Sequence, residues 1–145
     1  MNNILVDSIN LFDLDTNSYS FDKDNNLLFE VNDTNKKLYL EILEDIQVNI
    51  VIVGKKNNLD FNIKLNKNSS LNLNIFSIDG NVCIDANLLY GSNLTLNNSI
   101  LNSIDSTNHI RINHLEDRSV SNIKNHGFSK NKAKLIFDIE GSIIK

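Results

Sequence analysis

Phe61-Asn62-Ile63-Lys64-Leu65-Asn66 and, a few residues on, Leu71-Asn72-Leu73-Asn74-Ile75 place an apolar side chain at every second position with Asn or Lys between. A period of two is the signature of a strand with one buried face, because successive side chains point to opposite sides of an extended backbone. The same alternation runs outward in both directions. Upstream it takes in Leu38, Leu40 and Ile42, then Val48, Ile50 and Ile52, with Val51 and Val53 on the other face. Downstream it continues through Val82, Ile84, Ala86 and Leu88, then Leu94 and Leu96, then Ile110 and Ile112. Each group starts about ten residues after the last, with no helical period between them, which is the all-β pattern. The core is expected to hold Phe61, Ile63, Leu71, Leu73, Ile75, Val82, Ile84, Leu94, Leu96, Ile110 and Ile112.

Two all-β architectures share this period. An antiparallel β-sandwich is favoured by Asp79-Gly80, a dipeptide suited to a tight hairpin turn. A parallel β-helix, or solenoid, is favoured by the two quoted stretches, which look like one rung written twice. Residues 38–145 carry the alternation and form the expected core domain. Residues 1–37 read as an irregular lead-in, where short apolar groups such as Ile4-Leu5-Val6 and Leu27-Leu28-Phe29 are broken by Asp and Asn. Asp13-Leu14-Asp15-Thr16-Asn17 alternates carboxylates, yet lacks the Gly and distant Glu of a calcium loop.

Composition narrows the class. With 145 residues the chain has room for one domain with a real core. Its formal charge of -4 and the lack of any Lys/Arg stripe disfavour nucleic acid as a partner. No apolar run is long enough to span a bilayer, and Met1-Asn2-Asn3 does not open a signal peptide, so no membrane is expected and the cytoplasm is the expected location. The single cysteine, Cys83, agrees with a reducing compartment. There is no proline, while Asn fills roughly one position in five. Asn tolerates the left-handed backbone region, so turns here are expected to be written in Asn and Ser.

One polar stretch stands apart: His114-Leu115-Glu116-Asp117-Arg118-Ser119-Val120-Ser121-Asn122-Ile123-Lys124-Asn125-His126-Gly127. Its order of His, Ser, Ser and a polar residue before Gly resembles the SufB/SufD family of iron-sulfur cluster assembly scaffolds. In that family Thr usually stands where Ser119 is, and Lys where His126 is. Asn68-Ser69-Ser70-Leu71 is similar to the family's rung entry, as is Asn87-Leu88-Leu89-Tyr90-Gly91-Ser92-Asn93-Leu94. Ala133 and Phe137 fall where the family has small and aromatic residues. The resemblance spans roughly 38–145 and selects the right-handed parallel β-helix. It departs at Ile139, where the family has Gly and this chain has one only at Gly141, which leaves the last rung open to a shift. The family's cluster-building residues and SufC-docking helices lie beyond the position matching Lys145, so none can be carried over.

The same residues also admit an architectural role. Ser119 and Ser121 share a strand face and could bond within a turn, with Gly127 supplying a positive φ. His114 is expected on the core face beside Ile112. Candidate metal ligands are Cys83, His109 and His114, although His109 and His114 fall on opposite strand faces and a single thiolate cannot hold a cluster. No nucleophile elbow, phosphate loop or paired carboxylates occur, so no enzyme activity is expected. The resemblance implies a non-catalytic scaffold or partner subunit that holds no cofactor alone and meets an iron-sulfur cluster only with a partner. Its expected partners are a SufB-like or SufD-like subunit, a SufC-type ATPase indirectly, and a second copy of itself. A solenoid interaction or filament-forming module unrelated to clusters is the alternative.

Overall fold

The computed structural model describes residues 4–6, 9–12, 18–21, 26–32, 35–56 and 58–143. All regular structure in it is β, and no described helix is long and apolar enough to cross a membrane. The strands are β1 (Ile4–Val6), β2 (Ile9–Phe12), β3 (Ser18–Phe21), β4 (Asn26–Asn32), β5 (Asn35–Ile42), β6 (Gln47–Lys55), β7 (Asn58–Leu65), β8 (Ser70–Ile78), β9 (Asn81–Leu88), β10 (Asn93–Asn102), β11 (Ser106–His114), β12 (Val120–Ser129) and β13 (Leu135–Ile143).

From β4 onward the chain alternates between two sheets. Even strands β4 to β12 stack parallel in one sheet and odd strands β5 to β13 stack parallel in the other. Two strands make one rung, giving a β-solenoid of about four turns. Antiparallel pairing is confined to β1, β2 and β3, which extend the two sheets beyond β5 and β4. The boundary expected at residue 38 therefore falls inside β5, and rung pairing begins at Asn26. The alternation of 26–32 was hidden because Leu27-Leu28-Phe29 reads as a cluster rather than a period. The Asp13–Asn17 stretch lies outside the described residues.

The inward positions form vertical columns. Leu38, Phe61, Ile84 and Ile110 are successive partners in one sheet, and Val48, Leu71 and Leu94 in the other. All eleven residues expected in the core are buried. Each such side chain contributes at most about 1.5–3 kcal/mol, the dominant favourable term. Outward Asn residues add amide ladders one rung apart, with Asn49 Nδ2 donating to Asn26 Oδ1, Asn81 to Asn58 and Asn97 to Asn74 at 2.7–3.0 Å.

Corners repeat as faithfully as strands. Asp45, Asn68, Gly91 and Arg118 take φ of 56–67° at successive corners, and the amides of the first three are bonded to the next corner, as in Asn68 N–H to Tyr90 O and Gly91 N–H to Asp117 O. At the opposite corner Lys56 and Asp79 do the same with φ near 50°. Asp79-Gly80 thus carries the chain from β8 to β9 in the other sheet and closes no hairpin, because each strand's hydrogen-bonding partners are one rung away. The corner's left-handed residue suits either use, which is why the dipeptide misleads.

Candidate functional site

The resemblance stretch straddles the corner between β11 and β12, where the chain enters its last rung. Ser119 sits just before β12 and donates its hydroxyl to Glu116 O at 3.1 Å. Ser69 and Ser92 occupy the same place at earlier corners and donate to Asn66 O and Leu89 O, both at 2.7 Å. Ser119 is therefore the third copy of a corner device, and its bond to the backbone is a property of the repeat.

His114 and Ser121 are where the repeat changes. His114 continues the column of Ile42, Leu65 and Leu88, and Ser121 continues Val48, Leu71 and Leu94. Two columns that are apolar and buried in the rungs below become polar here. His114 lies on the face of Ile112, half-buried, with Nδ1 2.7 Å from Ser119 Oγ and Nε2 3.0 Å from Ser121 Oγ. Because the Ser119 hydroxyl donates to Glu116 O, its oxygen is left to accept from Nδ1–H, and in that tautomer Nε2 accepts from the Ser121 hydroxyl. The result is one directed chain from Ser121 through the imidazole to the corner backbone. It uses both ring nitrogens and ties β12 to the end of β11.

The rest of the motif points elsewhere. His126 is exposed on the outer face, in a column with Val53, Phe76 and Ser99. It lines an apolar groove of about 380 Å3 together with Phe76, Ile78, Leu101 and Phe128. Gly127 does not take the positive φ expected of it; it is an inward residue within β12. A Cβ built there would lie 2.5 Å from Leu135 Cδ2 and 2.8 Å from Phe137 Cε2, so glycine makes room for β13 to cross the end of the core. Ile139 and Gly141 keep register above Ile110 and Ile112, so the last rung is not shifted.

Of the candidate metal ligands, Cys83 and His109 are brought together as register partners on adjacent strands, and His114 is not. Cys83 and His109 face outward, in a column that runs Asp60, Cys83, His109, Asp138, while His114 faces in. His109 Nδ1 lies 3.0 Å from Asp138 Oδ2, and Arg111 Nε donates to Glu140 Oε2 at 3.3 Å beside it. Partial burial pushes the Cys83 thiol pKa up, and the nearby Asp60 and Asp85 carboxylates add to this against Arg111. A raised pKa leaves less of the thiolate, the form that ligates metal. Among the described residues no group of three or more His, Cys, Asp or Glu is placed to hold a metal ion.

Sequence reasoning missed the polar interior of the last rungs. Asn98 follows Ile52 and Ile75 in a column, is fully buried, and neither of its side-chain polar atoms has a hydrogen-bond partner. Asn102 is better served, donating to Gly80 O and to Ser106 Oγ. Alternation carried on from Leu94 and Leu96 is the signal that places Asn98 and Asn102 inward. Scans of family models, of curated proteins and of solved structures found no match to this chain.

Proposed function

We propose that this protein is a non-catalytic SufB/SufD-like scaffold or partner subunit in iron-sulfur cluster assembly, working through the β12–β13 rung of its solenoid. The observation that carries the reading is the placement of the His114–Gly127 stretch. Its His114–Ser119–Ser121 chain anchors β12 at the entry to the last rung, where β12 and β13 each have a single neighbour among the described strands. Unpaired edges of this length offer a row of backbone donors and acceptors to another subunit. The cluster enters as cargo of the assembly, because Cys83 is a lone, outward thiol with a raised pKa.

Co-expression with a SufB-like subunit and a SufC-type ATPase tests the proposal. The chain should co-purify in fixed stoichiometry, with iron and sulfide travelling with the assembly and not with the isolated chain. A chain that remains apart while the other two assemble would overturn it. Stoichiometric iron and sulfide on the isolated chain, lost in Cys83→Ser, would overturn the scaffold role from the other side.

A further inference from the structure

The sheet of even strands turns its outer face to the flank of the solenoid, and β8 and β10 at its centre are paired on both sides. Charge is segregated away from this flank. No Asp or Glu stands at an outward position of β6, β8, β10 or β12, although the chain has a formal charge of -4. The outward carboxylates Asp60, Asp85, Asp138 and Glu140 all lie on the other sheet. Toward the strand ends the flank is apolar, with Val53, Phe76, Ile78 and Phe128 43–62 % exposed around the groove already described.

Strand register shapes that groove into a slot. Phe76, Ser99 and His126 are successive outward partners on β8, β10 and β12. Neighbouring strands lie about 4.8 Å apart, so the Phe76 and His126 side chains leave the sheet about 9.6 Å from one another, with only a serine between. A flat ring seated over Ser99 lies about 4.8 Å from each, inside the range of about 4.5–7 Å over which aromatic rings attract. An aliphatic chain would make no use of that spacing. Two residues along, Leu101 between Ile78 and Phe128 continues the slot with apolar atoms. Two residues the other way, the exposed Lys124 partners Asn97, whose Nδ2 donates to Asn74 Oδ1 at 3.0 Å. Among the described residues Lys124 is in no ion pair. Asp79, which follows Ile78, turns into the corner, where the Ser103 amide and hydroxyl both donate to its Oδ1.

We propose that this slot binds a small aromatic anion, its ring held between Phe76 and His126 over Ser99 and its carboxylate or sulfonate facing Lys124. The site lies on the flank and does not rest on the docking role proposed above.

Titration of the full chain with 8-anilinonaphthalene-1-sulfonate, an aromatic sulfonate that fluoresces on leaving water, tests it. Binding should saturate at one probe per chain. Ser99→Phe puts a third ring in the slot and should raise the dissociation constant at least about tenfold; Phe76→Ala removes one wall and should weaken binding by a similar factor. Lys124→Gln should raise the constant about threefold and leave that of the uncharged N-phenyl-1-naphthylamine unchanged. Thermal melts show whether each variant, altered at an outward position, is folded. Binding as tight in folded Ser99→Phe and Phe76→Ala as in the native chain overturns the slot. Equal effects of Lys124→Gln on the charged and uncharged probes overturn the anion assignment, and dodecanoate binding more tightly than the aromatic sulfonate overturns the aromatic one.

Discussion

His114 shows how one residue can be legible in position and illegible in partners. Its place on the core face follows from alternation with Ile112, and the two serines at fixed offsets could be marked as bonding candidates. That both would meet one ring could not be read, because the corner geometry joining them is set by three earlier rungs. His114→Asn keeps polarity but loses the reach to one serine, leaving a half-buried group unsatisfied. Stability should fall by roughly 1–3 kcal/mol, measured by denaturant titration, with partner binding reduced only in proportion to the unfolded fraction. Unchanged stability with lost association would make the residue functional. Asp79 supplies a second residue test. The Ser103 amide and hydroxyl both donate to its Oδ1, at 2.7 and 2.9 Å, and hold its pKa below the ordinary 3.8, helped by Lys56 and Lys55 against partial burial. A lowered folded value stabilises above pH 3.8 and the gain is lost as pH falls through the lower folded pKa. Asp79→Asn should therefore show a shallower loss of melting temperature on acidification through that window. An identical acid slope would contradict it.

At the level of strands and rungs, burial was legible and pairing was not. Parallel and antiparallel strands share a period of two, so apolar alternation identified the inward residues without choosing the architecture. The deciding signal was present in the polar residues. Asn26 and Asn49, Asn58 and Asn81, and Asn74 and Asn97 are each 23 residues apart, the length of one rung. The period is masked later, where partners such as Thr107 with Asn81 or Ser142 with Asn113 lie 26 and 29 residues apart. Two substitutions test the packing. Gly127→Ala forces Leu135 and Phe137 to move and should cost about 1–3 kcal/mol, read as a lower melting temperature. Asn98→Ile restores the Ile52–Ile75 column and removes two unsatisfied buried atoms, so it should stabilise by about 1–3 kcal/mol. A destabilised Asn98→Ile protein would show that the amide has a partner in solution.

For the molecule as a whole, the two ends differ in kind. At one end antiparallel strands β1, β2 and β3 extend the sheets; at the other, β12 and β13 each have a single neighbour among the described strands and carry exposed apolar residues. The polar content of the core rises toward that second end, through Asn98, Asn102, Asn108 and the His114–Ser121 pair. A core that becomes more hydrogen-bonding as it nears an open rung is suited to meeting another subunit's edge, where backbone groups as well as apolar ones must be satisfied. Hydrogen exchange tests this most directly. Amides of β12 and β13 would be followed in the free chain and again after a SufB-like subunit is added. Their exchange should slow by at least about tenfold on association, since each new edge bond must open before exchange, while β4 to β9 stay unchanged. Edge amides that exchange as fast in the complex as in the free chain, with protection gained on the outer faces or at β1 to β3 instead, would contradict it.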